Sequence, residues 1–204
     1  MRLMIILGLP VAALIYIFAE PIIHFFMGLE EYGPSIIILQ IFALSIPFIY
    51  IDIILGSALM GAANMQKKWA VVGFIAILIN ISANYLMIPY AQQVFLNGGI
   101  GAAVATLITE IFVLGSAFYL LPKEYLQTFK SSYIFKPVSA TIFMILPVIL
   151  LLSYTGLYWM IILLFATVIY ISGLFLLKAF DTVELKMITL FISQSRQNLL
   201  AYIK

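Results

Sequence analysis

Two carboxylates, Asp52 and Glu110, lie deep inside long apolar stretches of the sequence. An ionisable side chain at membrane depth is costly, and it usually faces a partner or a water-filled cavity. Because a low-dielectric environment favours the neutral carboxyl, each residue could be protonated there or could exchange a proton during transport. The alternative is that each carboxyl only hydrogen-bonds a neighbouring Ser, Thr or Asn and holds two helices together.

Two pairs of polar residues have the same spacing on consecutive apolar segments. Asn80 and Asn84 are four residues apart, and so are Thr106 and Glu110. Residues at this spacing share one face of a helix, so the sequence predicts two polar stripes that face each other or a central cavity. Hydrogen bonding between helices is the commoner use of such residues, and a role in transport is the alternative.

Other kinds of chemistry have little support. The chain has no cysteine and a single histidine, His24, which argues against thiol catalysis and a histidine-based metal site. No serine lies in a nucleophile-elbow pattern with partners for a triad. The stretch from Gly98 to Ala103 lacks the Lys and Ser/Thr of a phosphate-binding loop, and its small residues suit close helix contact. We predict a protein that is not an enzyme and uses no cofactor or metal.

The composition indicates where these residues lie. The 204-residue chain is 65% hydrophobic and 9% charged, whereas a soluble domain has about 25% charged residues, so the expected environment is the lipid bilayer. The predicted fold is all-α integral membrane, with six transmembrane helices in residues 1–180 and a C-terminal amphipathic helix in a cytoplasmic tail, 181–204. The predicted spans cover about 4–26, 35–60, 69–88, 99–121, 137–153 and 157–177.

The basic residues alternate with these six spans. They lie before the first span, after the sixth, and in the second and fourth gaps, whereas the other three gaps contain none. Basic loops stay in the cytoplasm, so the chain is predicted to cross the plasma membrane with both termini inside. A net charge of +2 spread so thinly does not suggest nucleic-acid binding. The basic residues are Arg2, Lys67, Lys68, Lys123, Lys130, Lys136, Lys178, Lys186, Arg196 and Lys204.

Prolines predict where several helices end. We expect the third helix to stop at Pro89 and the fourth at Pro122, because proline cannot continue a helix without losing a hydrogen bond. Pro137 is expected in the first turn of the fifth helix, and Pro147 is expected to kink that helix. The first apolar segment continues past Pro21 without a cleavage site, so it is predicted to be a retained span rather than a signal peptide.

Two further stretches have the pattern of surface helices. The stretch KEYLQTFKSSYIF, residues 123–135, is amphipathic and is expected to lie along the cytoplasmic membrane surface. In the tail, Asp181 and Glu184 form a capping-box pattern, and apolar residues then recur at roughly helical spacing. A surface-lying amphipathic helix is therefore predicted for residues 181–204, and a disordered tail is the alternative.

Five stretches occur in an informative order: FFMGLEEYGPS, LQIFALSIP, MGAANMQKKW, NISANYLMIPY and GGIGAAVATLITE. A helix is followed by a short basic turn, a helix with paired Asn, and a Gly- and Ala-rich helix start. In this order and spacing, about residues 5–178 resemble the C-terminal part of the polysaccharide or oligosaccharide-lipid flippases. That family is related to the lipid II flippases and to the multidrug and toxin extrusion (MATE) antiporters.

The resemblance implies an architecture and an activity. Family members have twelve to fourteen transmembrane helices in two lobes, so this chain would match the last six helices of a MATE-like fourteen-helix transporter. The implied activity is movement of polyprenyl-linked oligosaccharides across the membrane by alternating access. Since fixed-site alternating access needs two moving bodies, the chain is expected to need an N-terminal lobe, on a second polypeptide for example. The candidate pathway residues are Glu110, Asp52, Asn80, Asn84 and Thr106.

Two other functions remain open from the sequence. Half of a cation-coupled multidrug antiporter would use an intramembrane carboxylate, Asp52 or Glu110, with a proton or sodium gradient. A non-transporting membrane subunit would associate with a glycosyltransferase or polymerase and would bind no substrate. The resemblance favours a flippase, because the last two helices extend beyond the twelve-helix antiporter core. The predicted spans contain no Lys or Arg at membrane depth, so a cationic cavity for the substrate headgroup would need residues from elsewhere.

Overall fold

The computed structural model describes residues 2–126, 132–152 and 158–180, together with Lys186 and Leu190. Throughout these residues the regular structure is helical, and a π-helical segment interrupts the α-helices once. The elements are α1 (Arg2–Ile17), α2 (Ala19–Phe26), α3 (Leu29–Tyr32), α4 (Ser35–Asp52), the π segment (Ile53–Leu59), α5 (Met60–Ala62), α6 (Gln66–Phe95), α7 (Gly98–Leu120), α8 (Lys123–Leu126), α9 (Ser132–Leu152) and α10 (Trp159–Leu176).

Five helical stretches in the described residues are long and apolar enough to cross a membrane, and a sixth crossing results if α1 and α2 count as one bent span. One of the five runs without interruption from Ser35 through the π segment to Ala62. Only 11–28% of the apolar window of each stretch is buried inside the protein. The described residues are therefore all-helical, as predicted, and the exposed apolar surface of these helices is compatible with a membrane protein.

The long helices pack side by side in a row. α7 lies between α6 and α4, α1 lies between α4 and α9, and α10 packs against α9. One cluster of buried residues, which includes Met144 and Leu174, joins α1, α9 and α10. A second cluster, which includes Leu55 and Met60, joins the π segment and α5 to the end of α7. α4 connects these two clusters because it contacts both α1 and α7.

The first predicted span, about 4–26, is two helices rather than one. α1 ends at Ile17, and α2 is bent by 66° from its direction. Pro21 explains the break, because it has no N–H for the preceding turn and its ring clashes with the carbonyl there. Beside the break, the Gln40 side chain of α4 donates a 3.3 Å hydrogen bond to the carbonyl oxygen of Tyr16.

The third predicted span extends beyond its expected end. α6 continues through Pro89 to Phe95, so the prediction that this helix stops at Pro89 was wrong. α7 supports the helix at this point, because the Gly98 N–H donates a 2.9 Å hydrogen bond to the side-chain oxygen of Gln92. Gly101 also lies against the main chain of α6 just before the proline. Contacts of this kind let a transmembrane helix tolerate proline.

The fifth helix begins earlier than predicted. α9 starts at Ser132, so Pro137 lies in its second turn and not in its first. The additional turn is held against the end of α10, because the Lys136 ammonium donates a 2.8 Å hydrogen bond to the carbonyl oxygen of Lys178. The helix then continues across Pro147 to its end.

The predicted surface helices are only partly described. α7 ends before Pro122 as predicted, the stretch 123–135 begins with α8, and its last residues belong to α9. Residues 127–131 lie outside the described part of the chain. Of the tail, 181–204, the structure describes Lys186 and Leu190 alone. The amphipathic tail helix therefore stays a prediction.

Basic residues from distant parts of the chain meet at one end of the row, which we call the cationic end. The Arg2 guanidinium lies 4.9 Å from the ring centre of Tyr133, so the start of α1 meets the start of α9. The hydrogen bond from Lys136 to Lys178 adds the end of α10 to this group. At the opposite end, which we call the acidic end, α2 and α3 connect α1 to α4. The acidic end carries Glu20, Glu30 and Glu31.

Candidate functional site

A hydrogen-bonded network joins α6 to α7 within their membrane-spanning parts. The Asn80 side-chain amide donates a 3.1 Å hydrogen bond to the hydroxyl of Thr109, and this hydroxyl donates 2.8 Å to the carbonyl oxygen of Ala105. Asn84 donates 2.9 Å hydrogen bonds to both the side-chain and main-chain oxygens of Asn80. The paired asparagines therefore share a face, and that face meets α7.

Thr109, which the sequence analysis did not single out, is the residue of α7 that bonds to Asn80. The Thr106 hydroxyl donates a 3.1 Å hydrogen bond to the carbonyl oxygen of Ala102 in its own helix, and no contact with the asparagine pair is seen in the described structure. The sequence contained a signal for Thr109, because it lies three residues after Thr106 and directly before Glu110.

The two carboxylates of the predicted set belong to α4 and α7, which pack against each other. Glu110 is half-buried and lies close enough to Asp52 of α4 for the two charges to interact. One carboxyl oxygen of Asp52 is buried and has no hydrogen-bond partner within the described residues. Two like charges in a low-dielectric medium repel each other, so a proton or a cation held between them would stabilise the pair. Neither the sequence spacing nor the proline pattern indicated that Asp52 and Glu110 lie on neighbouring helices.

Another polar group on α4 was missed by sequence reasoning. Ser45 is only 1% exposed, and its hydroxyl has no hydrogen-bond partner within the described residues. It lies seven residues before Asp52, which places both on the same face of the helix. A buried polar group without a partner is uncommon, so this face of α4 is unusually polar for a membrane-spanning helix.

The π segment begins directly after Asp52. Segments of this type are rare and occur frequently at functional sites. Gly56, in the middle of the segment, lies against the indole of Trp69, and a Cβ atom at this glycine would lie 2.6 Å from three indole atoms. Trp69 therefore holds the start of α6 against the π segment, which directly follows Asp52.

The small residues at the start of α7 serve helix contact, as predicted. Asn97 caps the helix by accepting a 3.1 Å hydrogen bond from the Gly99 N–H, and its amide donates 2.9 Å to the carbonyl oxygen of Pro34. Gly101 lies so close to Met87 that a Cβ atom would overlap the main chain of α6. These contacts fix α7 against both α4 and α6 beside the polar network.

Tyr170 makes a buried hydrogen bond that the sequence did not suggest. Its hydroxyl donates 2.6 Å to the carbonyl oxygen of Ile6 and so joins α10 to α1. Pro10 lies four residues after Ile6 and has no N–H, so this carbonyl has no helical donor of its own. The tyrosine supplies the donor that the proline removes.

Substitution Tyr170→Phe is expected to lower the free energy of unfolding by about 1.5 kcal/mol, because it leaves the Ile6 carbonyl buried without a donor. Thermal unfolding of the purified protein in detergent measures this loss. Tyr85→Phe is the matched control, because Tyr85 is 80% exposed and its variant should melt like the parent. In a Pro10→Ala background, a helical N–H can reach Ile6, so Tyr170→Phe should then cost less. An equal loss in both backgrounds would contradict this explanation.

A double-mutant cycle on Asn80 and Thr109 measures their hydrogen bond. The expected coupling energy between Asn80→Ala and Thr109→Val is about 0.6 kcal/mol, which is typical of such bonds in membranes. The same cycle with Asn84 in place of Asn80 should give a smaller coupling to Thr109, because Asn84 acts on Thr109 only through its hydrogen bonds to Asn80. Equal coupling for the two asparagines would show that the network is arranged differently.

Comparison of the chain with family models, with curated proteins and with solved structures finds no match. Among the described residues, no group of three or more His, Asp or Glu side chains is arranged to hold a metal ion.

Proposed function

We propose that this chain forms one half of a lipid-linked oligosaccharide flippase in the plasma membrane. The observation that carries the proposal is the set of half-buried polar groups at membrane depth, Asp52, Glu110, Asn80 and Asn84, in a row of helices that buries little of its own surface. Such groups are costly in lipid. The asparagines already meet α7, so a further protein surface or a water-filled cavity would be needed to face the carboxyl groups of Asp52 and Glu110. In a two-lobed transporter, that surface is the second lobe.

The helix pairing supports six membrane crossings, as in the last six helices of the family that the sequence resembles. Gly8 of α1 lies against Tyr50 of α4, and Tyr16 of α1 contacts Gln40 of α4. These two contacts show that α1 runs antiparallel to α4 over most of its length. α1 therefore crosses the same layer as α4, and α2 adds a bent end. With six crossings and basic residues at the cationic end, both termini are cytoplasmic.

The charge distribution supports a requirement for a partner. The basic residues of the described spans, Arg2, Lys67, Lys68 and Lys136, all lie within the first five residues of their helices, whereas the pyrophosphate of a polyprenyl-linked sugar needs cationic groups. A second body with basic residues at membrane depth would supply them, and this chain would supply the carboxylates and amides.

Half of a cation-coupled antiporter is the second candidate, and the two carboxyl groups, Asp52 on α4 and Glu110 on the neighbouring α7, favour it because their charges are close enough to interact. A pair of neighbouring carboxyl groups can hold a proton or a cation in one conformation and release it in another. An antiporter of this kind needs no cationic cavity for a pyrophosphate headgroup. It predicts transport that stops when the proton or sodium gradient is collapsed.

Purification of the tagged full chain from its own membranes in a mild detergent tests the flippase proposal. We expect an integral membrane protein with about eight spans to co-purify, as the missing part of a fourteen-helix transporter. When reconstituted in vesicles with a fluorescent lipid-linked oligosaccharide, the complex should move the glycolipid between leaflets, and the chain alone should not. A complex that contains a glycosyltransferase and leaves glycolipid orientation unchanged would indicate a non-transporting assembly subunit instead.

A further inference from the structure

The turn of α4 that ends at Asp52 lies between two interruptions of α-helical hydrogen bonding. Pro47 lies inside α4 and has no N–H, so the carbonyl oxygen of Ala43 has no helical donor four residues later. The π segment begins on the other side of the turn, at Ile53. Its hydrogen bonds close over five residues instead of four, so it holds one more residue than an α-helical turn.

Contacts at its two ends fix this stretch of helix. At the acidic end, the carbonyl oxygen of Pro34 accepts a 2.9 Å hydrogen bond from Asn97, and Gln40 donates to the carbonyl oxygen of Tyr16. At the cationic end, Met60 is fully buried in the cluster that joins the π segment to α7. Rotation of the whole helix would break these contacts, whereas a change of register confined to the turn between them would keep all of them.

The position of the extra residue in the structure has two costs. π-helical segments are rare, and one carboxyl oxygen of Asp52, directly before this segment, is buried without a hydrogen-bond partner in the described residues. Pro47 provides a second position for the extra residue. There, the Ala43 carbonyl oxygen would accept a hydrogen bond from the N–H of Phe48, five residues later, and residue 47 would lose no α-helical bond because proline donates none.

We infer that the extra residue moves along α4 between the π segment and Pro47, and that this movement turns the carboxyl group of Asp52. Each residue of the turn then advances by one position, which is a rotation of about 100° and a shift of about 1.5 Å. Ile53 takes the place from which Asp52 interacts with Glu110, so an apolar side chain replaces one of the two like charges there. A helix with two registers between fixed ends is a two-state element, and this inference does not depend on the proposed transport function.

Disulfide trapping distinguishes the two registers, because the chain contains no cysteine of its own. A Cβ atom at Gly8 of α1 would lie 3.2 Å from the Cβ atom of Tyr50, which belongs to the turn. Disulfides join Cβ atoms about 3.5–4.5 Å apart, so the pair Gly8→Cys and Tyr50→Cys should crosslink in the register of the structure. After the movement, Ile51 occupies the place of Tyr50, so the pair Gly8→Cys and Ile51→Cys reports the second register.

The matched control is the pair Gly8→Cys and Ile49→Cys. Ile49 and Ile51 flank Tyr50 on either side, and only residue 51 moves into the place beside Gly8. Both pairs carry Tyr50→Ala to make room for the new side chain. The full chain is reconstituted in vesicles and oxidised with copper phenanthroline, and the remaining thiols are counted with maleimide-polyethylene glycol on a denaturing gel. The Ile51→Cys pair should crosslink several-fold faster than the Ile49→Cys pair, and equal rates would overturn the inference.

Pro47→Ala separates a moving register from a fixed asymmetry of the helix. Alanine restores the N–H that bonds to the Ala43 carbonyl oxygen, so this position no longer favours the extra residue. Crosslinking of the Ile51→Cys pair should then fall to the rate of the Ile49→Cys pair. In the same background, the pair at positions 8 and 50 should still crosslink rapidly, which shows that α1 and α4 remain packed. An Ile51→Cys pair that crosslinks equally fast with and without Pro47 would overturn the inference, because a helix with one register would explain it.

Discussion

The Gly101→Ala substitution is expected to lower the free energy of unfolding by about 3 kcal/mol, the upper part of the usual range for overpacking. The added methyl group would overlap the carbonyl group of Met87 and the main-chain nitrogen of Ile88. Main-chain atoms cannot move aside as the end of a flexible side chain can, so α7 must separate from α6. This separation would also lengthen the hydrogen bond between Asn80 and Thr109.

Gly115→Ala on the same helix is the control for Gly101→Ala. A Cβ atom at Gly115 would have no neighbour within 4 Å, and alanine has the higher helix propensity. This variant should therefore be as stable as the parent or slightly more stable. Thermal unfolding in detergent, followed by tryptophan fluorescence, measures both variants. If the two alanine substitutions had the same small effect, the close approach of α6 and α7 would be excluded.

The long apolar helices, and the meeting of basic residues at one end of the row, could be predicted from the sequence. Each depends on a strong local pattern. Apolar length identifies a membrane-spanning helix, and Arg2, Lys136 and Lys178 then meet because consecutive helices run in opposite directions. The asparagine pair was also predictable, since a spacing of four residues is a property of the helix itself.

Contacts between helices that are distant in sequence could not be predicted in the same way. The extension of α6 through Pro89 depends on support from the start of α7, and local proline chemistry alone indicates a helix end. The hydrogen bond from Tyr170 could not be predicted either. Its hydroxyl donates to the carbonyl oxygen of Ile6, which is 164 residues away in the sequence. The hydrogen bond from Asn80 to Thr109 could not be predicted either, because helix rotation at an interface is set by packing.

The largest functional effects are expected from neutral substitutions of the two intramembrane carboxylates. Asp52→Asn and Glu110→Gln keep the size of each side chain and remove its ability to ionise. If the pair holds a proton or a cation during the transport cycle, each variant should reduce transport by the complete complex at least about tenfold, which corresponds to about 1.4 kcal/mol. Transport is measured as glycolipid movement between the leaflets of vesicles, with and without an imposed ion gradient.

A stability measurement separates this role from a purely structural one. Because an ionised carboxylate is costly at membrane depth, the amide variants should be as stable as the parent or more stable, even though transport falls. Glu124→Gln is the matched control, since this carboxylate is exposed in α8 at the cationic end, and it should change neither property. Loss of stability in Asp52→Asn together with normal transport would show that the carboxylates only hold α4 against α7. Loss of transport in Glu110→Gln at unchanged stability would instead support a role for the ionisable carboxyl group in the transport cycle, since the amide keeps the size of the side chain but cannot bind or release a proton.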